Sequence, residues 1–134
     1  MSIYSFVLSV HVITAVLGLG PLAAATLLTG AGAPLPLAPL RRIMRVVIGS
    51  LAVMFITGCV MAGLVRGAYE HAWWLRISVL LFLLLGFLHG RVRRVLRGAE
   101  ATPEPGATRH AHRILLAMCV VTGVITWLME AKPW

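Results

Sequence analysis

Histidines set within apolar sequence are where this chain could do chemistry. His11 lies in LSVHVITAVLGLG and His89 in LFLLLGFLHGRV, while His71, His110 and His112 stand at the edges of apolar runs. Ionisable groups at membrane depth are costly, so each is a functional candidate by default. Arg76 and Glu130 join the set on the same ground. Neutral imidazole is a ligand for haem iron, copper or zinc, and a guanidinium pairs bidentately with a carboxylate such as a haem propionate.

Depth along a helix sorts these residues into two sites. With Ala15 or Val16 as the middle of a first helix, the helical rise puts His11 roughly 6–8 Å to one side. With Leu80 and Leu81 as the middle of a third, His89 lies roughly 12–14 Å toward the other face. A separation of roughly 18–22 Å in depth prevents the two from sharing one metal. His89 is instead expected near the level of His112 at the start of a fourth helix, where two imidazoles could flank a b-type haem as axial ligands of its iron. The same pair could hold copper or zinc with further ligands, or His110 and His112, beside Arg109 and Arg113, could simply be headgroup residues. On the other side, His11 shares its level with Thr57, Cys59, Met61 and Ser78, and Arg76 lies further out beside Trp73 and Trp74. That group could take a haem edge, with His11 and Arg76 as the catalytic candidates and His11, His89 and His112 as the cofactor ligands. A plain interhelical hydrogen bond from His11 to a Ser or Thr accounts for His11 equally well. Cys59 and Cys119, at different depths, read as packing residues, and Glu130 as an ion pair with Lys132.

The elements that must position these residues follow from composition. The 134 residues are 60% hydrophobic and 12% charged, and contain no Asp, Asn or Gln. With a mean hydropathy of +0.93, this is not the surface of a soluble domain, about a quarter of which is charged. The expectation is an all-α integral membrane bundle of four transmembrane helices, a single domain over residues 1–134 with helices at about 3–28, 43–65, 73–97 and 110–130. The first is a retained helix rather than a signal peptide, because no positive charge precedes it and it exceeds an h-region. Residues 30–39 are expected as a turn region with Pro39 just ahead of the second helix, and residues 98–108 as a linker. Gly18, Gly20, Gly63-x-x-x-Gly67 and Gly86-x-x-x-Gly90 have the spacing of close helix approach.

Charge supplies orientation and partners. Nine of the twelve basic residues (Arg41, Arg42, Arg45, Arg91, Arg93, Arg94, Arg97, Arg109 and Arg113) fall at one end of a four-span hairpin, and Arg66, Arg76 and Lys132 at the other. This bias places the basic loops in the cytoplasm and both termini outside, as in a bacterial inner membrane. A net charge of +8 held between apolar segments fits the anionic leaflet, notably at the Arg91–Arg97 cluster, rather than nucleic acid. Two cysteines inside apolar segments exclude a disulfide framework and a zinc knuckle. A chain without Asp, a phosphate loop or a carboxylate pair lacks the parts of soluble hydrolases.

The segment order resembles a known family. LSVHVITAVLGLG, RRIMRVVIGSLAVMFITG, WWLRISVLLFLLLGFLHGRV and the terminal Lys132-Pro133 followed by an aromatic are similar to the HemJ-type protoporphyrinogen oxidases and the related CopD-like four-helix membrane proteins. The resemblance implies bound haem b, with the helix-one histidine falling on His11 and the histidine ending helix three on His89. The lysine that the family carries in helix three falls on Ser78, and of its Pro-Arg pair late in helix one only Pro21 is nearby. The expected function is therefore a haem b-binding or porphyrin-related membrane protein, serving electron transfer or porphyrinogen oxidation. The alternative is a cofactor-free accessory or assembly subunit that packs against a larger membrane complex or its own copies. Copper handling is a weaker third reading.

Overall fold

The computed structural model describes residues 2–30, 37–65, 72–102 and 106–131. They form four helices, α1 (Ile3–Gly30), α2 (Leu37–Leu64), α3 (Trp73–Ala101) and α4 (Ala107–Ala131). Each is long and apolar enough to cross a membrane, so the chain is an all-α, multi-pass membrane protein. In hydrocarbon, the helix is the form that pairs its own backbone N–H and C=O groups within a single segment.

Two boundaries differ most from the sequence expectation, by six and four residues, while α4 starts at Ala107 rather than near residue 110. α2 begins at Leu37 rather than near residue 43, which brings Pro39, Arg41 and Arg42 into the helix. Proline is accommodated there because a first-turn N–H has no intrahelical acceptor to lose, and the added turn contributes the buried Leu40. α3 continues to Ala101, where Thr102 N–H donates to the Gly98 carbonyl at 3.0 Å. Gly98 to Ala101 are thus helix rather than linker. Gly106 turns the chain into α4 with φ 103°, a left-handed conformation open to glycine without steric cost.

The helices pack in a ring, α1 on α2, α2 on α3, α3 on α4 and α4 on α1, with no diagonal contact among the described residues. The sequence-adjacent pairs α1–α2 and α3–α4 are the most extensive, and α2–α3 is the thinnest side. That side is held by an Arg41–Glu100 ion pair at the basic end and by tilted rings of Phe55 and Phe82, 5.5 Å between centroids, further along. Buried positions advance by alternating steps of three and four: Gly18, Leu22, Ala25 and Thr29 on α1; Leu40, Met44, Val47 and Leu51 on α2; Leu85, His89, Val92 and Leu96 on α3; Ala111, Leu115, Met118, Thr122 and Ile125 on α4. A repeat of about 3.5 residues keeps one seam of each helix facing inward.

On α1 and α2 the buried residues are concentrated toward the basic end. No described residue of α1 before Gly18, nor of α2 after Leu51, is buried. The glycine spacings turn out to be of two kinds. A Cβ at Gly18 would stand 3.0 Å from the Ser50 Cβ, a genuine close approach of α1 to α2, whereas Gly20, Gly63, Gly86 and Gly90 have nothing within 4 Å. Gly67 lies outside the described residues.

Candidate functional site

The histidines occupy three different environments. His11 of α1 is half-buried against α2, with Nδ1 2.8 Å from the Thr57 hydroxyl. That hydroxyl gives its own hydrogen to the Val53 carbonyl at 2.8 Å. Its oxygen therefore accepts from His11 Nδ1–H, and the Nε2 lone pair of the neutral ring carries no proton. The ring has room because residue 58 is glycine: a Cβ there would lie 3.6 Å from His11 Cε1. The interhelical hydrogen bond is thus present, with Thr57 as the acceptor.

His112 of α4 turns toward the end of α1. Its Nδ1 is 3.1 Å from the Thr26 carbonyl and 3.3 Å from the Thr29 hydroxyl. A carbonyl only accepts, so Nδ1 carries the hydrogen and Nε2 is again the lone-pair nitrogen. Donation of one ring N–H to a backbone carbonyl is how proteins fix the ligating tautomer of a histidine. Gly30 gives the ring its room, since a Cβ there would stand 3.0 Å from His112 Cε1 and the ring would have to shift. Thr26 also meets Cys119, with its hydroxyl oxygen 3.3 Å from Sγ. The cysteine packs on α1.

His89 differs from both. It is 4% exposed, on the inward row of α3 with Leu85, Val92 and Leu96, and its buried Nδ1 has no hydrogen-bond partner among the described residues. Because α3 runs on to Ala101, helical rise places His89 about 18 Å back from that end, whereas His112 is about 8 Å into α4. His89 therefore stands deeper than expected, about 10 Å further from the basic end than His112. No hydrogen bond joins the two among the described residues.

The remaining candidates fall elsewhere. Ser78, in the position where the resembled family has lysine, is buried with its hydroxyl donating to the Trp74 carbonyl at 2.9 Å. Arg76 is exposed near the start of α3. Glu130 borders an open groove of about 560 Å³ between α1 and α4, walled by Leu19, Leu22, Gly123 and Trp127. None of His11, His89 and His112 lines it. Among the described residues no three His, Cys, Asp or Glu side chains converge as a metal site. His71 and Lys132 lie outside the described residues.

Two contacts were not anticipated from sequence: the Arg41–Glu100 pair and the seat of His112 on Thr26 and Thr29. The first had a signal, since both residues end apolar segments at the basic end. The second depends on helix rotation, which one sequence does not fix. No protein-family model, curated protein or solved structure matches the chain. Its class is that of a small four-span helical membrane protein.

Proposed function

We propose that the protein binds a b-type haem or a related porphyrin, in electron transfer or porphyrinogen oxidation of the HemJ or CopD kind, with His89 as the leading ligand. The observation that supports this reading is the buried, unpartnered His89 Nδ1. A buried polar atom left unpaired costs about 1–3 kcal/mol, and a coordinating iron would remove that cost. The donor chemistry of the chain fits such a group: His112 and His11 both donate from Nδ1 and keep Nε2 as a lone-pair nitrogen. Haem, when bound, supplies one-electron redox chemistry. The chain's own residues would supply the imidazole ligand and an apolar wall formed by Leu85 and Val92 beside it. At a separate level, about 20 Å along α3 from His89, Arg76 would steer the carboxylate of a porphyrin edge and His11 would accept a proton. Placing the basic end in the cytoplasm belongs to the same reading.

Absorption spectra of the purified protein in mild detergent, air-oxidised and then dithionite-reduced, test it. A Soret band with a sharp reduced α-band, lost in His89→Ala, is expected. A preparation that stays colourless after haem is added refutes it.

A second reading has its own support. The halves of α1 and α2 remote from the basic end hold no fully buried residue, as suits an accessory subunit whose flank meets a larger membrane partner or a second copy. Cross-linking in native membranes that recovers one stoichiometric partner, from a colourless protein, would favour this reading.

A further inference from the structure

The basic end of α3 carries more than scattered charge. Gly90, Arg93, Arg94 and Arg97 line one concavity of about 240 Å³. Their spacing of i, i+3, i+4 and i+7 sets them on one helical face. Arg91 lies about 110° round the helix from the centre of that face, although it belongs to the same run of sequence. The nearest described carboxylate on α3, Glu100, is engaged by Arg41. Among the described residues no acidic side chain pairs with Arg93, Arg94 or Arg97.

Depth and the surface beyond the arginines identify the ligand. If the exposed Trp73 marks one interface, a hydrocarbon layer of about 30 Å is spanned by about 20 residues and ends near Arg93. The guanidiniums then stand at phosphate level. One turn into the hydrocarbon the same face is low: Cβ atoms built at Gly86 and Gly90 would meet nothing within 4 Å, with the exposed Phe87 along one side and the exposed Leu83 at the deep end. A free anion has no use for such a channel, whereas an acyl chain does.

We propose that Arg93, Arg94 and Arg97 hold the phosphate of one anionic phospholipid while the Gly86–Gly90 channel takes one of its acyl chains. Basic pockets at helix ends are suited to such headgroups, and guanidinium forks match phosphate oxygens. The proposal does not rest on the haem reading, although Arg93 stands one turn along α3 from His89.

The test is titration of delipidated protein in detergent with phosphatidylglycerol or phosphatidylcholine, counting bound lipid by native mass spectrometry. One phosphatidylglycerol per chain is expected, with weaker retention of phosphatidylcholine. Arg97→Gln should weaken binding about fivefold and the triple Arg93→Gln, Arg94→Gln, Arg97→Gln variant about a hundredfold. Arg91→Gln, with the same change in charge, should weaken it less than about twofold, being off the site face. Gly86→Leu with Gly90→Leu should weaken binding with all arginines in place. Far-UV circular dichroism checks each fold, and the two single arginine variants decide the matter even if the triple variant misfolds. Equal losses for Arg91→Gln and Arg97→Gln would overturn the site in favour of diffuse attraction. Displacement by millimolar inorganic phosphate would overturn the lipid in favour of a free anion, and an unaffected glycine variant would remove the acyl chain.

Discussion

Replacing His89 with leucine should stabilise the haem-free protein, which is unusual for a core substitution. Nδ1 of His89 is buried without a partner among the described residues, and the side chain belongs to a row made otherwise of Leu85, Val92 and Leu96. Leucine continues that row and removes an unsatisfied nitrogen worth about 1–3 kcal/mol. Polar contacts inside membranes are typically worth less, about 0.6 kcal/mol each, so a gain of about 1–2 kcal/mol is expected. Haem should reverse the order. At free ligand about 100 times Kd, wild type gains about 2.7 kcal/mol by linkage, which His89→Leu forgoes. Denaturant titration in mild detergent, read by far-UV circular dichroism with and without haem, measures both differences. If His89→Leu is the less stable protein without haem, the reasoning from the orphaned nitrogen fails. If haem stabilises both proteins equally, His89 is not the ligand.

Other outcomes follow from the same packing. Thr57→Val removes the hydroxyl acceptor of His11, leaving the Met54 backbone beside the ring, and should cost about 0.6–1.7 kcal/mol; in a double-mutant cycle with His11→Phe that loss should not add. Leu115→Ala empties a fully buried position on α4 and should cost about 2–5 kcal/mol, measured by the same titration. Glu100→Gln breaks the Arg41 pair, whose side chains are 47% and 36% exposed, so its cost should stay below about 1 kcal/mol and shrink with added salt.

Helix number and class were legible because lipid imposes a simple rule: about 20 apolar residues, paired internally, with charge at the ends. Helix starts were less so. Pro39 looks like a boundary in sequence, yet a first-turn proline breaks no hydrogen bond, and α2 begins before it. The histidines were legible as candidates from their apolar surroundings, but their partners were not. Whether His112 meets His89 or Thr26 depends on where α3 ends and how α4 is rotated, and neither leaves a mark in one sequence. Glycine spacing was similarly ambiguous, since Gly18 and Gly86 look alike until the neighbouring helix is in place.

The unequal sides of the ring bear on how the chain is made. Its two largest interfaces join helices adjacent in sequence, α1 to α2 and α3 to α4, so most contacts close within one hairpin. The first hairpin, ending at Leu64, can satisfy itself while the rest of the chain is still on the ribosome, because synthesis at about 5–20 residues per second is slower than local helix pairing. The second hairpin then docks across two thinner seams, one of them latched at its end by Arg41 and Glu100. Assembly thus becomes the meeting of two preformed pairs, and the connection between α2 and α3 is the place where the chain could be divided and its halves, made separately, still find each other in the bilayer.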